Sequence, residues 1–188
     1  MKSVLISIQP KWCELIASGD KKVEVRKTRP KIDVPFKCYI YCTNSKDMLW
    51  ILRKKERFSE KIASIFTAKD VGGATKANGK VIGEFVCDKI TEFQPTLDLK
   101  ELNSRHFQMV DESDVNMRDL YNYANGKYLY GWHISNFVIY DKPKELSEFR
   151  YYNPTVKLEN GYPIPTHEIK RPPQSWCYVD HPTEKGGV

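Results

Sequence analysis

A lysine, a glutamate and an arginine stand at positions 21, 24 and 26, within the stretch Gly19-Asp20-Lys21-Lys22-Val23-Glu24-Val25-Arg26. Val23 and Val25 alternate with Lys22, Glu24 and Arg26, which is the period of a strand. On that strand the valines share one face, and Glu24 and Arg26 stand side by side on the other. Lys21 sits at the turn that opens the strand and can reach over either face. Two chemistries follow from such a trio. The charges can neutralise one another on a solvated strand, the common fate of exposed ionic groups. Alternatively, Arg26 orients Glu24 in a pocket while the lysine meets a phosphate or a polarised carbonyl. Spacing alone leaves both open.

The elements around the trio can be read from pattern. Ser3–Ile8 is an apolar strand, and Pro10 suits the first turn of a helix whose inner face is Trp12, Leu15 and Ile16. Gly19 ends that helix, because a residue tolerating left-handed backbone angles is wanted there. Strand Lys21–Lys27 stops at Arg29-Pro30-Lys31, and Phe36–Thr43 forms the next strand. Ser59–Ala68 is read as a helix with Ile62, Ile65 and Phe66 inward, and Asp70–Ala74 and Asn78-Gly79 as turns. Lys80–Phe93 is a long strand with a bulge or corner at Gly83. Pro95–Glu112 shows no single pattern. Met117–Ala124 is a helix stopped by Asn125-Gly126. Tyr128–Tyr140 is a long strand with a possible kink at Gly131, Pro143–Phe149 a helical turn, Tyr152–Pro173 a proline-rich surface loop, and Gln174–Val179 the last strand. Five to six strands with few helices predict a mainly β fold, a small closed or nearly closed β-barrel with one or two helices packed on it.

Composition sets bounds on this picture. The 188 residues are read as one domain over 1–180 with insertions near 44–79 and 141–171, followed by a disordered tail over 181–188. No apolar run is long enough to span a bilayer. The apolar stretch before Pro10 is too short for a signal peptide, so a cytoplasmic location is expected. Five cysteines, an odd number, fit free thiols better than a disulfide framework. Cys38 and Cys42 share a strand face, but no further clustered cysteine or histidine completes a metal site, so neither metal nor cofactor is expected. The net charge is +6, and +4 of it falls between Asp20 and Lys37. A second basic run is Arg53-Lys54-Lys55-Glu56-Arg57. Such runs are solvated faces or tracks for a phosphate backbone.

Gly19, Lys21, Glu24 and Arg26 fit G-x-K-x-x-E-x-R, which resembles the signature of the ASCH domain family, small β-barrels of the PUA-like superfamily. Its position after a strand and a short helix is similar to that family's order. Tyr130–Asn136 and Pro173–Val179 are similar to later strands of longer members, some of them phage-borne. The resemblance implies a PUA-like barrel and a cleft between barrel and first helix where Lys21, Glu24 and Arg26 meet. It also implies RNA, a nucleotide or a modified nucleoside as partner. Trp12, Trp132 and Trp176 are candidate stacking surfaces and Ser175 a candidate donor to a base edge, since phosphates take charge and bases stack on rings. Trp132 and His133 are adjacent on one strand and must face opposite ways.

Three functions remain open at this stage. The first is a binding module for RNA or a nucleotide through a basic cleft. The second is a hydrolase. Some ASCH proteins are ribonucleases, which would make Glu24 a base and Lys21 and Arg26 stabilisers of a pentacovalent phosphate. Others are amidohydrolases of acylated cytidine. Those carry a threonine nucleophile where this chain has Glu24, and a carboxylate does not replace a hydroxyl in acyl transfer. Thr28 falls past the motif, and their acidic partner maps near Glu112. The third is a non-catalytic protein-interaction barrel.

Overall fold

The computed structural model describes residues 2–53, 63–66, 74–152 and 168–180. Strand β1 (Lys2–Ile8) lies inside the main sheet and is almost wholly buried, which is why it reads as an unbroken apolar run rather than an alternating one. It pairs in parallel with β3 (Phe36–Cys42) and antiparallel with the last strand, β9 (Trp176–Asp180). The sheet continues from β3 through the long strands β7 (Val81–Phe93) and β8 (Leu129–Lys144) to β2 (Val23–Arg26), giving the order β2-β8-β7-β3-β1-β9. Among the described residues β2 and β9 are its two edges, so the backbone ladder does not close into a full barrel. Side chains bridge the gap instead. Arg26 Nη2 donates to the Ser7 carbonyl of β1 at 2.6 Å, and Trp176 Nε1 donates to Thr28 Oγ1 at 3.0 Å.

Helix α1 (Pro10–Ser18) has proline in its first turn and ends at Gly19, whose φ of 84° is left-handed. Its buried residues Cys13 and Ile16 meet the main core, where Ile6, Ile8, Ile40, Phe85 and Trp132 pack. A second cluster lies on the other face of the sheet, around Leu5, Tyr39, Val81, Phe149 and Val179. A third joins Val23, Val25, Phe93 and Leu129 to two later helices, α2 (Ser104–Ser113) and α3 (Met117–Ala124), through Met109, Leu120 and Ala124. None of the described helices is long and apolar enough to cross a membrane.

Two stretches differ from the pattern reading. Ala63–Phe66, expected within a helix, is strand β5 and pairs antiparallel with β4 (Trp50–Arg53), which also pairs with β6 (Ala74–Lys76) in a separate three-stranded sheet. A short apolar window fits either period, and pairing with a distant partner decided it. Helix α2 fell in the stretch without a pattern because only His106, Met109 and Ser113 of its residues are buried. Its start is nonetheless well made: Asn103 accepts from Arg105 N, and the His106 ring accepts from Asn103 N in the place a glutamate commonly takes. The Lys54–Arg57 part of the second basic run, the Asp70–Gly73 turn, most of the proline-rich loop and the 181–188 tail lie outside the described residues.

The two strand glycines are close approaches rather than turns. A Cβ on Gly83 would stand 2.3 Å from the Val138 carbonyl, where the β7–β8 register shifts. A Cβ on Gly131 would stand 2.6 Å from Met109 Cε and 2.9 Å from Val23 Cγ1. Gly131→Ala is therefore expected to destabilise by about 1–3 kcal/mol through overpacking at the β2–α2 contact. Chemical denaturation checks this, and an unchanged midpoint would show that Met109 simply swings away.

Candidate functional site

The turn after Gly19 places Lys21 where helix α2 ends. Lys21 Nζ donates to the Ser113 carbonyl at 2.6 Å and lies 3.6 Å from Glu24 Oε2. Carbonyls at a helix C-terminus carry partial negative charge and favour a cation there. The next residue is held by the same turn, since Lys22 N donates to the Glu112 carbonyl at 2.7 Å. Lys21 does not swing between faces. It is pinned, with 3 % of its surface exposed. Burial lowers its pKa below the ordinary lysine value, and the nearby Glu24 carboxylate opposes that fall.

On β2, the alternation holds. Val23 and Val25 turn to the third core cluster, while Glu24 and Arg26 turn to the other side. Arg26 Nη2 lies 2.9 Å from Glu24 Oε1, so each carboxylate oxygen faces its own cation. The arginine is otherwise committed to the protein. Nη2 also donates to the Ser7 carbonyl, and Nη1 reaches Ser175 Oγ at 3.5 Å. Buried carboxylates are tolerated when paired in this way.

The trio forms one wall of a cleft of about 630 Å3 between β1, α1, β2 and α3. Trp12 lines it, and Lys21 Nζ lies 4.8 Å from the centre of the Trp12 ring. Gln9, Thr43, Asp119, Tyr123, Pro172, Pro173 and Gln174 complete the walls. These were not singled out from the sequence. Tyr123 carried the one available signal, a large ring on an amphipathic helix, and it is 41 % exposed. Two exposed lysines lie over these rings: Lys11 Nζ is 4.6 Å from the Trp12 ring centre, and Lys27 Nζ is 4.6 Å from that of Tyr123.

The structure thus brings Lys21, Glu24, Arg26 and Trp12 to one cleft and leaves three sequence candidates outside its lining. Trp132 is fully buried, edge-on to Phe36 and Trp176 in the main core, so it presents no stacking surface. Trp176 packs its ring between Trp132 and Tyr178 and spends its Nε1–H on Thr28. Ser175 touches the site only through the long contact to Arg26. As the strand period required, His133 faces away from Trp132, toward Thr91 and Glu112. Glu112 lies outside the cleft lining, and Thr28 accepts from Trp176. Cys38 and Cys42 are buried free thiols, and burial pushes the Cys38 thiol up. Among the described residues no group of three or more His, Cys, Asp or Glu side chains is placed to hold a metal ion.

The family model for the ASCH domain matches residues 6–153. The fold is similar to the crystal structure of ASCH from Zymomonas mobilis, at 16% identity and a TM-score of 0.55, covering 95% of this chain and 87% of that one. Two variants of the Zymomonas mobilis protein are similar to the same degree. One has a tyrosine-to-phenylalanine change (16% identity, TM-score 0.55, 96% and 91% covered) and the other a serine-to-alanine change (16% identity, TM-score 0.54, 95% and 88% covered). At that identity the likeness is one of fold. No curated protein matches the sequence.

Proposed function

The chain belongs to the ASCH domain family, and from that premise we propose that its cleft binds a nucleotide of single-stranded RNA, or a free nucleotide, with the base inside and the phosphates at the rim. The observation that carries this reading is the charge arrangement. Inside the cleft, Lys21 and Arg26 are balanced by Glu24 and Asp119, and their protons already go to Glu24 and to the Ser7 and Ser113 carbonyls. A phosphate gains little there. A flat, polar, uncharged group fits better, against the Trp12 ring and the Gln9, Thr43 and Gln174 side chains. The exposed cations at the rim, Lys11 and Lys27 above all, are placed for the backbone.

The test is binding of a labelled single-stranded RNA and a panel of nucleotides to the pure protein, across a salt series. Affinity for RNA is expected to fall steeply with salt. Lys11→Ala and Lys27→Ala are each expected to reduce the log–log slope by about 0.7, the share of one phosphate contact on a single strand. Retention of neither RNA nor nucleotide would sink the reading and favour a protein-interaction barrel.

One observation keeps a hydrolase as the second reading: a buried cleft lysine with a lowered pKa beside a carboxylate is a common form of activated group. Product formed from RNA or from a modified nucleoside by the wild type, and lost in Glu24→Gln with binding kept, would establish it.

A further inference from the structure

The lysine of the cleft is held by a helix turn that is itself fastened from behind. Helix α2 ends at Ser113, and its last two carbonyls take Lys22 N and Lys21 Nζ. The side chain of Glu112 in that turn points to the opposite side, where its Oε2 lies 3.7 Å from His133 Nδ1. This oxygen is sealed from solvent and has no hydrogen bond from another described group, so His133 is its nearest source of positive charge or N–H. Its other oxygen accepts from Gln108 one turn earlier in α2. The imidazole is fixed in its turn, because Nε2 lies 2.8 Å from Thr91 Oγ1 on β7. His133 also sits in the β8 register directly opposite Val23, two residues from the trio's lysine.

We propose that His133 is a positioning residue for the cleft: through Glu112 it docks the last turn of α2 on the sheet, and that turn sets where Lys21 stands. This rests on the reading of the cleft as a ligand site, but the link itself concerns Lys21 and holds with no ligand bound.

The link is sensitive to pH. The charged and titratable groups facing His133 are Glu112 of α2 and Asp88 and Lys89 of β7, with the Cys87 thiol on the same strand. Burial is the largest influence on the ring and lowers its pKa, against the pull of Glu112. The folded ring therefore binds protons less readily than the unfolded chain, whose histidine titrates near 6.5, on the order of the model-peptide value. Docking is at full strength above that value and weakens as the pH falls through it, levelling off below the lower, folded pKa. Added positive charge would by itself tighten an RNA complex, so acid weakening has the opposite sign to a simple charge effect.

The test follows the Lys21 side chain by NMR in protein labelled at lysine Cε and Nζ, with Lys21→Arg giving the assignment. In the wild type, the Lys21 signal is expected to shift on acidification in step with the His133 ring. In His133→Gln that step disappears, and the Lys21 pKa rises toward the ordinary lysine value as the turn loosens and water reaches the ammonium. Glu112→Gln is expected to raise it likewise. RNA affinity in His133→Gln should fall about threefold, the scale of one part-exposed ion pair. A wild-type Lys21 signal indifferent to the His133 titration would overturn the proposal, even if His133→Gln fails to fold. A moving Lys21 signal in a protein that retains no RNA would keep the link and refute the ligand reading.

Discussion

Replacing Glu24 with alanine is expected to cost about 3–5 kcal/mol of folding stability, because it strips the shared counter-ion from two buried cations. Lys21 and Arg26 have 2% and 11% of their side-chain surface exposed, and Glu24 lies within 3.6 Å and 2.9 Å of them. In the variant, Arg26 keeps the Ser7 carbonyl and Lys21 keeps the Ser113 carbonyl, but the cations now repel each other across the space the carboxylate filled. The damage has a pH signature. Burial already depresses the Lys21 pKa, and losing the Glu24 attraction lowers it further. The folded state then binds fewer protons than the unfolded chain, so stability rises with pH from the folded Lys21 pKa up to about 10.4, the unfolded value. The deficit of Glu24→Ala against wild type should narrow between neutral and alkaline pH as the ammonium sheds its proton. Urea midpoints measured for both proteins across that range decide it. A variant as stable as wild type at neutral pH would mean the trio is a solvated strand face after all.

That bland alternative was real at the level of sequence, and what removed it was not in the motif. The alternation of Val23 and Val25 with charged neighbours was enough to place Glu24 and Arg26 on one face and the valines on the core. Gly19 and Pro10 marked the ends of α1 for the same reason: both act through their own backbone, so a local reading suffices. Burial of the charges comes from elsewhere. The carbonyls that take Lys21 and Lys22 belong to α2, some ninety residues away, in the stretch where the pattern was weakest. The far wall of the cleft comes from α3 and from Pro172–Gln174. Contacts of that kind have no periodicity of their own. The same holds for Ala63–Phe66, whose strand conformation depends on β4. Six strands were legible, but their failure to close was not, because closure depends on whether β2 and β9 meet and only side chains do so.

The tryptophans give the sharpest separation of fold from site. Sequence treated Trp12 and Trp132 alike, as rings near a resembling motif. In the structure one is half-buried on the wall of the cleft and the other is sealed at the centre of the main core. Trp132→Ala removes the ring that Phe36 and Trp176 pack against at centroid distances of 5.9 Å and 5.8 Å. It should cost about 3–5 kcal/mol, from lost burial and the cavity left behind. For a chain of this size that lowers the melting temperature by about 10 °C or more. Trp12→Ala loses a part-exposed ring and should melt within a few degrees of wild type. Its loss falls on binding, at about 1–3 kcal/mol for one base stacked on an aromatic ring, or roughly a tenfold weakening of RNA and nucleotide alike. Calorimetric melting and RNA titration of the two variants form a crossed experiment. The cleft reading requires the large thermal effect in one and the large affinity effect in the other. Equal affinities for wild type and Trp12→Ala would remove the ring from the ligand site and leave the charged trio without its stacking partner.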